Sequence, residues 1–534
     1  MKKNKPSKQT IDLNPQFQYA YEIMENSDKN VFVTGRAGTG KSTLLKYFRE
    51  NTKKKIVVLA PTGVASININ GQTIHSFFRF KPGITRDNLE KISGAKAEIY
   101  KKLDAIVIDE ISMVRADLLD CIDIFMRKNG RDKRRPFGGT QMIFIGDLYQ
   151  LPPVVTSFEK KMFEEYYKSP YFFSADVFQV HQDAMFEENE KFSMLFIELE
   201  KIYRQSDDVF ISLLNSIRNN TINDENILHL NTRYNKSFED KKNLYIILTT
   251  TNAMADDTNS QELQKLSGKE HIFYGQIRGK FDEKFLPTER ELHVKKGAHI
   301  MLLNNDSLGR WVNGTLAVVN DIVFDEESEQ KVVEIVLENG EIEHVTPYNW
   351  DMYSFQYNKE TRSISSNVVG SFSQYPFRLA WAVTIHKSQG KTFDKVVVDI
   401  GRGTFSSGQL YVALSRCTSF EGLVLKKMIE KKHVWTDWNV VKFVTSYQYK
   451  QANELFSVDE KIAFIKDAIL QGKKIAIIYL KSDDSKSRRI LVPYVIGEME
   501  FRGKKYIGLE AYCEMRKDNR VFNIDRILEL KNVD

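Results

Sequence analysis

The segment Asn30–Leu45 reads NVFVTGRAGTGKSTLL and joins a short apolar run, a glycine-rich turn and an apolar-periodic continuation. The run at Val31–Val33 contains β-branched residues, which is typical of a buried parallel strand. From Gly35 to Ser42 the spacing is G-x-x-x-x-G-K-S, and apolar residues at helical spacing follow. A strand, a glycine loop and a helix in this order predict a phosphate-binding loop.

Such a loop works because glycines let backbone N–H groups turn towards a phosphate chain, and the following helix adds its partial positive charge. Lys41 would reach the β- and γ-phosphates, and Ser42 would ligate Mg²⁺. The alternative, a glycine-rich turn with a chance lysine, does not explain the strand and helix on either side. The expected nucleotide contacts are Gly35, Ala37, Gly38, Thr39, Gly40, Lys41, Ser42 and Thr43.

An amphipathic helix is expected upstream, where Asn14 is a plausible N-cap and Pro15 suits the first helical position. A glutamine in this segment could read adenine through its amide. Gln18 is the preferred candidate and Gln16 the alternative, although either could be an ordinary surface glutamine.

Length and composition limit the class of protein. A chain of 534 residues predicts three or four domains. It contains no apolar run long enough for a membrane span, and the basic start MKKNKPSKQT has no apolar core segment, so we expect a short disordered tail rather than a secretory signal. Three widely separated cysteines fit a reducing cytoplasm. The net charge of +6 permits nucleic-acid binding without arguing for it.

Two further apolar strands end in polar residues that could complete a hydrolysis site. AIVIDEISM, residues 105–113, ends in Asp109 and Glu110, which could hold Mg²⁺ and activate water, respectively. QMIFIGDLYQLPPVV, residues 141–155, leads to Gln150, whose amide could sense the γ-phosphate. Strands alternating with helices, with chemistry at the strand ends, predict a doubly wound α/β sheet.

A mixed polar and aromatic group follows another strand, KIVVLA at residues 55–60. Hydroxyl groups, an imidazole and a phenyl ring could bind a sugar-phosphate backbone and stack a base. Core packing of the aromatic rings and a satisfied histidine are the simpler alternative. The candidates are Pro61, Thr62, Gly63, His75, Ser76 and Phe77.

Together, GRAGTGKST, APTGVAS, GQTIHSFF, VIDEISM and FIGDLYQLPPV resemble the motifs of superfamily 1B DNA helicases in the Pif-like and RecD-like branch. LEKIYRQSDDVFISLLNSIR from residue 199, LAWAVTIHKSQGKTFDKV from residue 379 and YVALSRCTS from residue 411 resemble that family's later motifs. The resemblance covers about residues 13–445.

The resemblance implies two RecA-like domains with ATP and Mg²⁺ bound between them. It identifies Arg204 and Arg416 as arginines that the second domain supplies to the γ-phosphate, and places Gln389 and Gly390 at the nucleotide. It assigns contacts with the phosphates of single-stranded DNA to Thr384, His386, Lys387 and Ser388. It also implies movement from 5′ to 3′, which the residues alone do not show.

The same resemblance suggests a division into domains. We expect a P-loop domain at 1–190 with a small wedge insertion at about 79–102, and a second RecA-like domain at 191–306 and 368–445. Residues 307–367 would form a small β-barrel of the Src-homology type, within which Asn339–Gly340 predicts a hairpin. Trp311, Trp350 and Tyr353 could stack bases there, but core packing is the simpler interpretation.

A polar segment, SYQYKQANE, is expected to be a linker over residues 446–454, before a separate mostly-β unit at 455–534. That unit resembles a WYL domain at Tyr479, Pro493, Arg520, Phe522 and neighbouring positions, although Gly508–Leu509 replaces the W-Y-L signature. WYL domains bind nucleic acid or a nucleotide-like effector in a basic groove. Candidate groove residues are Arg489, Arg516, Arg520 and Arg526; the alternative is a solvated basic face with a salt bridge from Arg526.

Three functions are open at this point. The first is an ATP-driven DNA helicase, acting on single-stranded and forked DNA as a monomer in the bacterial cytoplasm. The second is a DNA-stimulated ATPase that acts as a regulator through a ligand of the WYL-like unit. The third, a P-loop kinase, does not account for the second-domain arginines.

Overall fold

The computed structural model describes residues 14–81, 83–155, 157–178, 192–205, 207–239, 244–283, 286–326, 330–358, 363–501 and 503–533. The predicted disordered tail lies outside these ranges. Backbone contacts divide the chain into one unit of Met1–Ile211 with Leu228–Ile429 and another of Ser212–Ile227 with Glu430–Asp534, and each is described by itself. Within the described ranges, no helix is both long enough and apolar enough to cross a bilayer.

The first unit begins with a parallel α/β layer. Its strands are β1 Asn30–Gly35, β2 Ile56–Ala60, β3 Gln72–Thr73, β4 Ala105–Ile108, β5 Gln141–Ile145 and β6 Met194–Leu199. Its helices are α1 Pro15–Asn26, α2 Lys41–Asn51, α3 Gly63–Asn68, α4 Ile74–Phe78, α5 Glu98–Lys102, α6 Ala116–Asn129 and α7 Ser157–Tyr166. The strands lie in the order β3-β2-β4-β5-β1-β6 with parallel pairing throughout. Buried apolar residues on neighbouring strands form its core.

The topology places the predicted chemistry on one edge. The glycine loop follows β1, Asp109 and Glu110 follow β4, and Gln150 follows β5, so all of them lie at the carboxyl ends of parallel strands. The predicted domain boundary at residue 190 is wrong, because β6 pairs with β1 along its whole length. This apolar strand completes the first sheet before the chain crosses to the second domain.

Helices α8 Asp208–Arg218 and α9 Asp224–Asn231 each contain residues of both units, and the sheet of the second RecA-like domain starts with β7 Ile246–Thr249, followed by α10 Asn252–Lys265. An antiparallel insertion then interrupts it. The inserted strands are β8 His271–Tyr274, β9 Gln276–Gly279, β10 Glu291–Val294, β11 His299–Leu302, β12 Leu316–Asp325, β13 Gln330–Leu337, β14 Ile342–Val345, β15 Tyr348–Asn358, β16 Ser363–Gln374 and β17 Phe377–Leu379.

The insertion is larger than the predicted range 307–367. One sheet has the order β14-β13-β12-β11-β17, so it includes strands on both sides of that range, and another has the order β15-β16-β9. The hairpin prediction at Asn339–Gly340 is confirmed, because β13 and β14 pair across it and Gly340 has a φ of +84°. Trp311 and Trp350 are buried, which supports core packing over base stacking, and Tyr353 is half-buried.

The chain returns to the second domain with β18 Ala382–Thr384, β19 Val396–Asp399, α11 Gln409–Leu414 and β20 Leu423–Leu425. The sheet order is β18-β7-β19-β20, again parallel. The predicted fold class, with two parallel RecA-like sheets interrupted by insertions, is therefore confirmed.

The second unit contains α12 Trp438–Leu455, α13 Val458–Leu470, β21 Ile475–Leu480, β22 Lys486–Phe501, β23 Lys504–Cys513, β24 Asp518–Asn523 and β25 Ile527–Asn532. The antiparallel strands lie in the order β24-β23-β22-β21-β25, and α13 packs on their apolar face. The predicted linker at 446–454 is wrong, because it is the second half of α12. Val444, Gln448 and Ala452 are buried at a four-residue spacing, which gives this polar segment a packed face.

A buried ion pair belongs to the same unit. Arg218, at the end of α8, lies 3.5 Å from Asp484, in the turn between β21 and β22, and both side chains are almost fully buried. The carbonyl of Arg218 also accepts a hydrogen bond from the Thr436 hydroxyl. The helix that follows Arg204 in the chain is therefore packed at its far end within the C-terminal unit.

Candidate nucleotide site and DNA contacts

The glycine loop has the backbone shape that its sequence predicts. Gly38 and Gly40 have φ values of +80° and +88°, which side chains other than glycine rarely adopt. A Cβ at Gly38 would lie 2.5 Å from Cβ of Arg204, so glycine also permits close approach of the chain after β6. Lys41 Nζ donates to the carbonyls of Gly35 at 2.7 Å and Arg36 at 2.9 Å. Its ammonium group therefore lies over the loop.

The other loop residues divide into two groups. Ala37 and Thr39 are buried, and the Thr39 hydroxyl donates to the Arg36 carbonyl at 3.0 Å, which stabilises the turn. Ser42 and Thr43 are exposed on the first turn of α2, where the backbone N–H groups have no helical partners. The hydroxyl of Ser42 is thus accessible to a metal ion or a phosphate.

Asp109 and Glu110 form a tightly coupled acidic pair. Burial and the neighbouring Glu110 charge raise the pKa of Asp109 to about 7, against the lowering effect of the Glu110 N–H and Lys41. Burial also raises the pKa of Glu110, while Lys41 and Arg416 favour its carboxylate. Glu110 has a φ of +50°, an uncommon conformation for this residue type. Because burial disfavours the ionised form of both carboxyl groups, a nearby positive charge would stabilise their carboxylates.

A glutamine from the second domain lies against this pair. Gln389 Nε2 donates to Glu110 Oε2 at 3.1 Å and to Gln150 Oε1 at 3.4 Å. Gln150 is itself buried, and its Nε2 donates to Asp147 Oδ2 at 3.2 Å. Gly390, directly after Gln389, has a φ of +78° and leaves space at the end of the turn. The two glutamines thus link the proposed base to both domains.

Arg416 is buried, and its donors contact neutral atoms. It contacts the carbonyls of Val412 at 3.0 Å and Lys391 at 3.2 Å and the hydroxyl of Ser415 at 3.0 Å. Burial and the nearby charge of Arg204 lower the pKa of Arg416 to about 9. A buried cation held by neutral groups is suited to receiving an anion.

Arg204 lies on the same side of the cleft. Its Nη1 donates to the Ser415 carbonyl at 3.2 Å, and burial lowers the pKa of its guanidinium. The next residue, Gln205, donates to the carbonyls of Ser415 and Cys417. The segment that follows β6 is therefore attached to the segment that carries Arg416. Arg204 lies against the P-loop at Gly38, and Arg416 lies close enough to Glu110 for their charges to interact.

The sequence analysis missed Tyr411. Its buried hydroxyl accepts a hydrogen bond from the backbone N–H of Ala37, at 3.0 Å, across the boundary between the two domains. At the start of the same helix, a Cβ at Gly408 would lie 2.3 Å from the Tyr149 carbonyl oxygen. The position of Tyr411 in the motif-like segment YVALSR could have indicated a functional role. An aromatic residue on a short helix is, however, typical of ordinary core packing.

The candidate adenine-reading residues differ in their surroundings. The Gln16 amide accepts from the Glu200 N–H at 2.9 Å and donates to the Glu200 carboxylate at 3.3 Å. The preferred candidate, Gln18, is exposed on α1.

Three of the first-domain DNA candidates, Pro61, Thr62 and Gly63, form the turn from β2 into α3. Thr62 is the N-cap of α3 and accepts from the Ala65 N–H at 3.3 Å. Pro61 is half-buried and Gly63 is buried beside it. These three residues lie at the carboxyl end of β2, so the backbone and a partly accessible hydroxyl are what this turn can offer to DNA.

The next group has one clear correction. His75 is half-buried, and burial lowers the pKa of its imidazole, against the raising effect of Asp117. Ser76 is exposed and its hydroxyl accepts from Gln72 Nε2 at 2.7 Å. Phe77 is 5% exposed and packs edge-on against Phe78 and Tyr100. This placement contradicts base stacking by Phe77, because its ring belongs to the aromatic core.

The second-domain DNA candidates also divide. Thr384 is buried and accepts from the Lys387 N–H at 3.2 Å, and Ser388 is fully buried and donates to the Ile385 carbonyl at 2.8 Å. These contacts contradict direct DNA contact by the two hydroxyls. Lys387 is exposed and His386 half-buried. Burial lowers the pKa values of both, and the Arg378 charge adds to the effect at Lys387.

Comparison with known proteins fits this geometry. A family model described as PIF1-like helicase matches residues 14–227. The ATP-dependent DNA helicase Pif1 of Campylobacter jejuni is 32% identical over 418 residues, covering 73% of this chain and 87% of that protein. The chain belongs to the PIF1-like helicase family. The ATP-dependent DNA helicase PIF1 of Xenopus laevis is 33% identical over 81% of this chain, which spans 64% of that longer protein.

Solved structures of PIF1-like helicases share the fold. Bacteroides Pif1 in complex with ADP-AlF4 has a TM-score of 0.73 and 36% identity, covering 82% of this chain and 97% of that one. Bacteroides Pif1 bound to single-stranded DNA has a TM-score of 0.59, with the same identity, over 82% of this chain and 98% of that one. A further Bacteroides structure is described as two Pif1 helicases at forked duplex DNA, with a TM-score of 0.58 and 36% identity over 82% of this chain and 98% of that one.

A second family model, the WYL domain, matches residues 460–532 of this PIF1-like helicase. Arg516 and Arg520 are exposed there, while Arg489 is half-buried and donates to Ser487 Oγ and Met515 Sδ. Arg526 is half-buried near the Tyr449 phenol, whose pKa burial raises to about 12. No ion pair of Arg526 is found among the described residues, which leaves the salt-bridge alternative without support.

Proposed function

We propose that this PIF1-like helicase uses ATP hydrolysis to move 5′ to 3′ along single-stranded DNA and to unwind duplex DNA. The observation that carries the proposal is the meeting of Arg416 and Gln389, from the second domain, with Glu110 and the P-loop of the first. A site built from two domains changes when they move, so hydrolysis can drive motion between them. The names of the relatives and the direction implied by the motif resemblance support it.

In the proposed cleft, Lys41 and the loop N–H groups bind the phosphates of ATP, and Gln18 contacts adenine. Arg204 and Arg416 would stabilise the charge that develops on the γ-phosphate, while Glu110 orients and deprotonates water. Gln150 and Gln389 then report the state of the γ-phosphate to both domains. In this proposal the buried arginines and Glu110 interact with the γ-phosphate and with the attacking water, which are present only when ATP is bound.

The proposal includes Mg²⁺ held by Ser42 and Asp109 together with the nucleotide phosphates. The residues fit the ion, since the exposed Ser42 hydroxyl, at the start of α2, and the Asp109 carboxyl group, whose pKa is about 7, both lie at the carboxyl edge of the same sheet. Mg²⁺ commonly takes only one or two protein ligands in such sites. When bound, it neutralises phosphate charge.

DNA binding is proposed along the carboxyl ends of both sheets. Lys387 and His386 provide an exposed cation and a partly exposed imidazole on one domain, and the turns at Thr62 and Ser76 provide hydroxyl groups on the other. Contacts of this kind recognise phosphates rather than bases, so binding should be insensitive to sequence and sensitive to salt. We infer single-stranded and forked DNA as partners, a monomer in solution and a location in the bacterial cytoplasm. G-quadruplexes and RNA–DNA hybrids are further candidate substrates.

The WYL domain is proposed to modulate this activity by binding nucleic acid or a nucleotide-like effector. The exposed arginines Arg516 and Arg520 are its most accessible groove candidates, and Arg489 and Arg526 are the others. The second candidate function, a DNA-stimulated ATPase that senses a ligand through this domain, rests on the presence of the WYL domain itself.

The test of the main proposal measures ATP hydrolysis with and without single-stranded DNA, and strand separation on duplexes with either a 5′ or a 3′ tail. We expect DNA to stimulate hydrolysis and only the 5′-tailed duplex to open. Lys41→Ala should abolish both activities, and Glu110→Gln should bind ATP and DNA without turnover. Stimulated hydrolysis without strand separation would favour the regulator instead, and normal turnover in Glu110→Gln would remove Glu110 from the role of base.

The WYL proposal needs a test that leaves the fold intact. Replacing both Arg516 and Arg520 by glutamine changes exposed side chains only, unlike a truncation, which would remove the partner of Arg218. We expect weaker DNA binding or a lost effector response. Wild-type affinity, unwinding and effector response in the double variant would take these arginines out of the mechanism.

A further inference from the structure

A basic segment on the first domain is not used by the proposed cleft or by the predicted DNA contacts. Residues 127–135 read RKNGRDKRR, in which six of the nine residues are basic and one is acidic. The whole chain has a net charge of only +6, so this segment concentrates positive charge locally. Cations in the last turn of α6 also complement the helix dipole, but that effect accounts only for Arg127 and Lys128.

The segment lies at the amino ends of the strands, on the opposite side of the sheet from the proposed nucleotide site at their carboxyl ends. It leads into the amino end of β5, and the wedge insertion leads into the amino end of β4, whereas the glycine loop, Glu110 and Gln150 lie at the carboxyl ends. A substitution here is therefore remote from the catalytic groups.

Three segments meet around a cavity at this edge. The cavity has a volume of about 480 Å³ and is lined by Leu89, Lys91, Ile124, Arg127, Lys128 and Lys133. Two apolar residues form part of its wall, and cations come from the wedge insertion, from α6 and from the following loop. No acidic residue is among the lining residues, and Asp123, on α6, is paired with Arg127 at 2.8 Å.

Hydrogen bonds fix the three segments relative to one another. Lys128 Nζ donates to the Leu89 carbonyl at 3.1 Å, and the Asn129 amide accepts from the Ile92 N–H at 2.7 Å. Asp123 accepts from the Phe137 N–H at 2.6 Å, which closes the loop onto α6. The lysines are thus presented on a defined framework rather than on a disordered tail.

We propose that this cavity, lined by Lys91, Lys128 and Lys133, binds the phosphate backbone of duplex DNA ahead of the moving helicase. Phosphodiesters match a row of exposed ammonium groups, and each neutralised phosphate releases counterions. The tracked single strand is proposed to lie at the opposite, carboxyl ends of the strands, so it does not reach these lysines. Duplex DNA is therefore the source of phosphate that this position favours. The inference rests on the proposed helicase function.

The test compares Lys91→Glu/Lys133→Glu with the wild type in binding to a blunt duplex, to a single strand and to a 5′-tailed fork. Neither lysine makes a hydrogen bond or ion pair among the described residues. The matched control is Lys161→Glu/Lys168→Glu, which makes the same charge change on exposed lysines in α7 and just after it, in the same domain.

For duplex DNA, the slope of log affinity against log salt should fall by roughly 0.9 for each lysine. Between about 50 and about 200 mM salt, this makes the salt-induced loss of affinity about tenfold smaller for the double variant. Single-strand affinity and DNA-stimulated ATP hydrolysis should stay within about twofold of the wild type, and unwinding of the fork should slow.

Three results would overturn the inference. They are unchanged duplex affinity and salt slope in the double variant, an equal loss for single strands and duplexes, and an equal loss in the Lys161→Glu/Lys168→Glu control. Failure of the wild-type chain to open any fork would instead count against the proposed function, because the binding comparison does not depend on unwinding.

Discussion

The two walls of the nucleotide cleft are built in different ways. On the first wall, Lys41, Asp109 and Glu110 follow strand ends, and their charges act on one another. On the second wall, Arg416 is fully surrounded by protein and held by carbonyl and hydroxyl groups. The first wall thus carries acid and base chemistry that can titrate, while the second carries a fixed cation.

This difference indicates separate tasks for the walls. With Mg²⁺ held at Asp109 as proposed, a wall with raised carboxyl pKa values should respond to Mg²⁺ and to pH, because proton and metal compete for the same oxygens. A wall whose arginine is fixed by backbone groups responds mainly to geometry, because its charge does not change near neutral pH. Substitutions in the second wall should therefore change the rate of ATP hydrolysis. The contribution of the first wall should instead depend on pH and on Mg²⁺ concentration.

The largest effect is expected for Arg416→Lys. Lysine keeps the charge but lacks the planar fork that contacts three separate oxygens, so it cannot occupy the same position. We expect kcat for ATP to fall by about 10³ or more, the magnitude associated with losing an arginine that contacts the transition state. DNA affinity without nucleotide should be retained.

The control for Arg416→Lys is Arg402→Lys, which makes the same change at an exposed arginine of the same domain. Hydrolysis by Arg416→Lys within tenfold of the wild type would show that the second wall supplies charge but not geometry.

A smaller effect is expected from pH at limiting Mg²⁺. Asp109 has a pKa of about 7, so below that pH a proton occupies the carboxyl group that the metal needs. The carboxylate, and with it kcat/KM, is present above this pKa and is lost as pH falls through it, by about tenfold per unit. Raising Mg²⁺ should move the acid limb to lower pH.

An acid limb that does not move with Mg²⁺ concentration would contradict the role of Asp109 on the first wall. Asp109→Asn provides the matched control, because it keeps the shape of the side chain but has no carboxyl group that can take up a proton.

The smallest effect is expected for Tyr411→Phe, which removes the only oxygen that this side chain offers to the Ala37 N–H. A buried hydrogen bond of this kind contributes about 0.5 to 1.5 kcal/mol, so kcat/KM for ATP should fall by about two- to thirteenfold. Nucleotide-dependent changes in DNA affinity should weaken with it, because the contact joins the two walls.

Tyr375→Phe is the control for this variant, since its hydroxyl donates to the Lys331 carbonyl inside the antiparallel insertion. If both variants alter ATP hydrolysis equally, or if Tyr411→Phe leaves it unchanged, the contact between Tyr411 and the P-loop has no part in coupling the walls.

Much of the first wall could be predicted because its chemistry follows local pattern. A β-branched run, a glycine spacing and a helix specify the P-loop, and carboxyl ends of parallel strands necessarily meet on one edge. The motif resemblance added Arg204, Arg416 and Gln389. It did so through family likeness, since an arginine after a short helix carries no local signal of its role.

Other features depended on packing that no local pattern encodes. Phe77 was a candidate for base stacking beside the simpler interpretation of core packing, and the resemblance offered Ser388 as a DNA contact; the aromatic core and the turn after β18 bury both. The segment 446–454 looked like a linker until its helical face packed, and β6 looked like part of the second domain until it paired with β1. Burial and strand pairing depend on partners distant in sequence, so neither local pattern nor motif resemblance could decide these placements.

The sequence by itself determined that this protein has a P-loop, an acidic strand end and parallel α/β sheets, because those features follow from short-range spacing and backbone geometry. Only the tertiary structure decided which side chains share the cleft. The bond between Tyr411 and Ala37 joins residues 374 positions apart, and the lysines of the basic cavity come from three segments. Contacts of this kind depend on how helices and strands that are distant in sequence pack together. That packing is a property of the folded chain and not of any single segment.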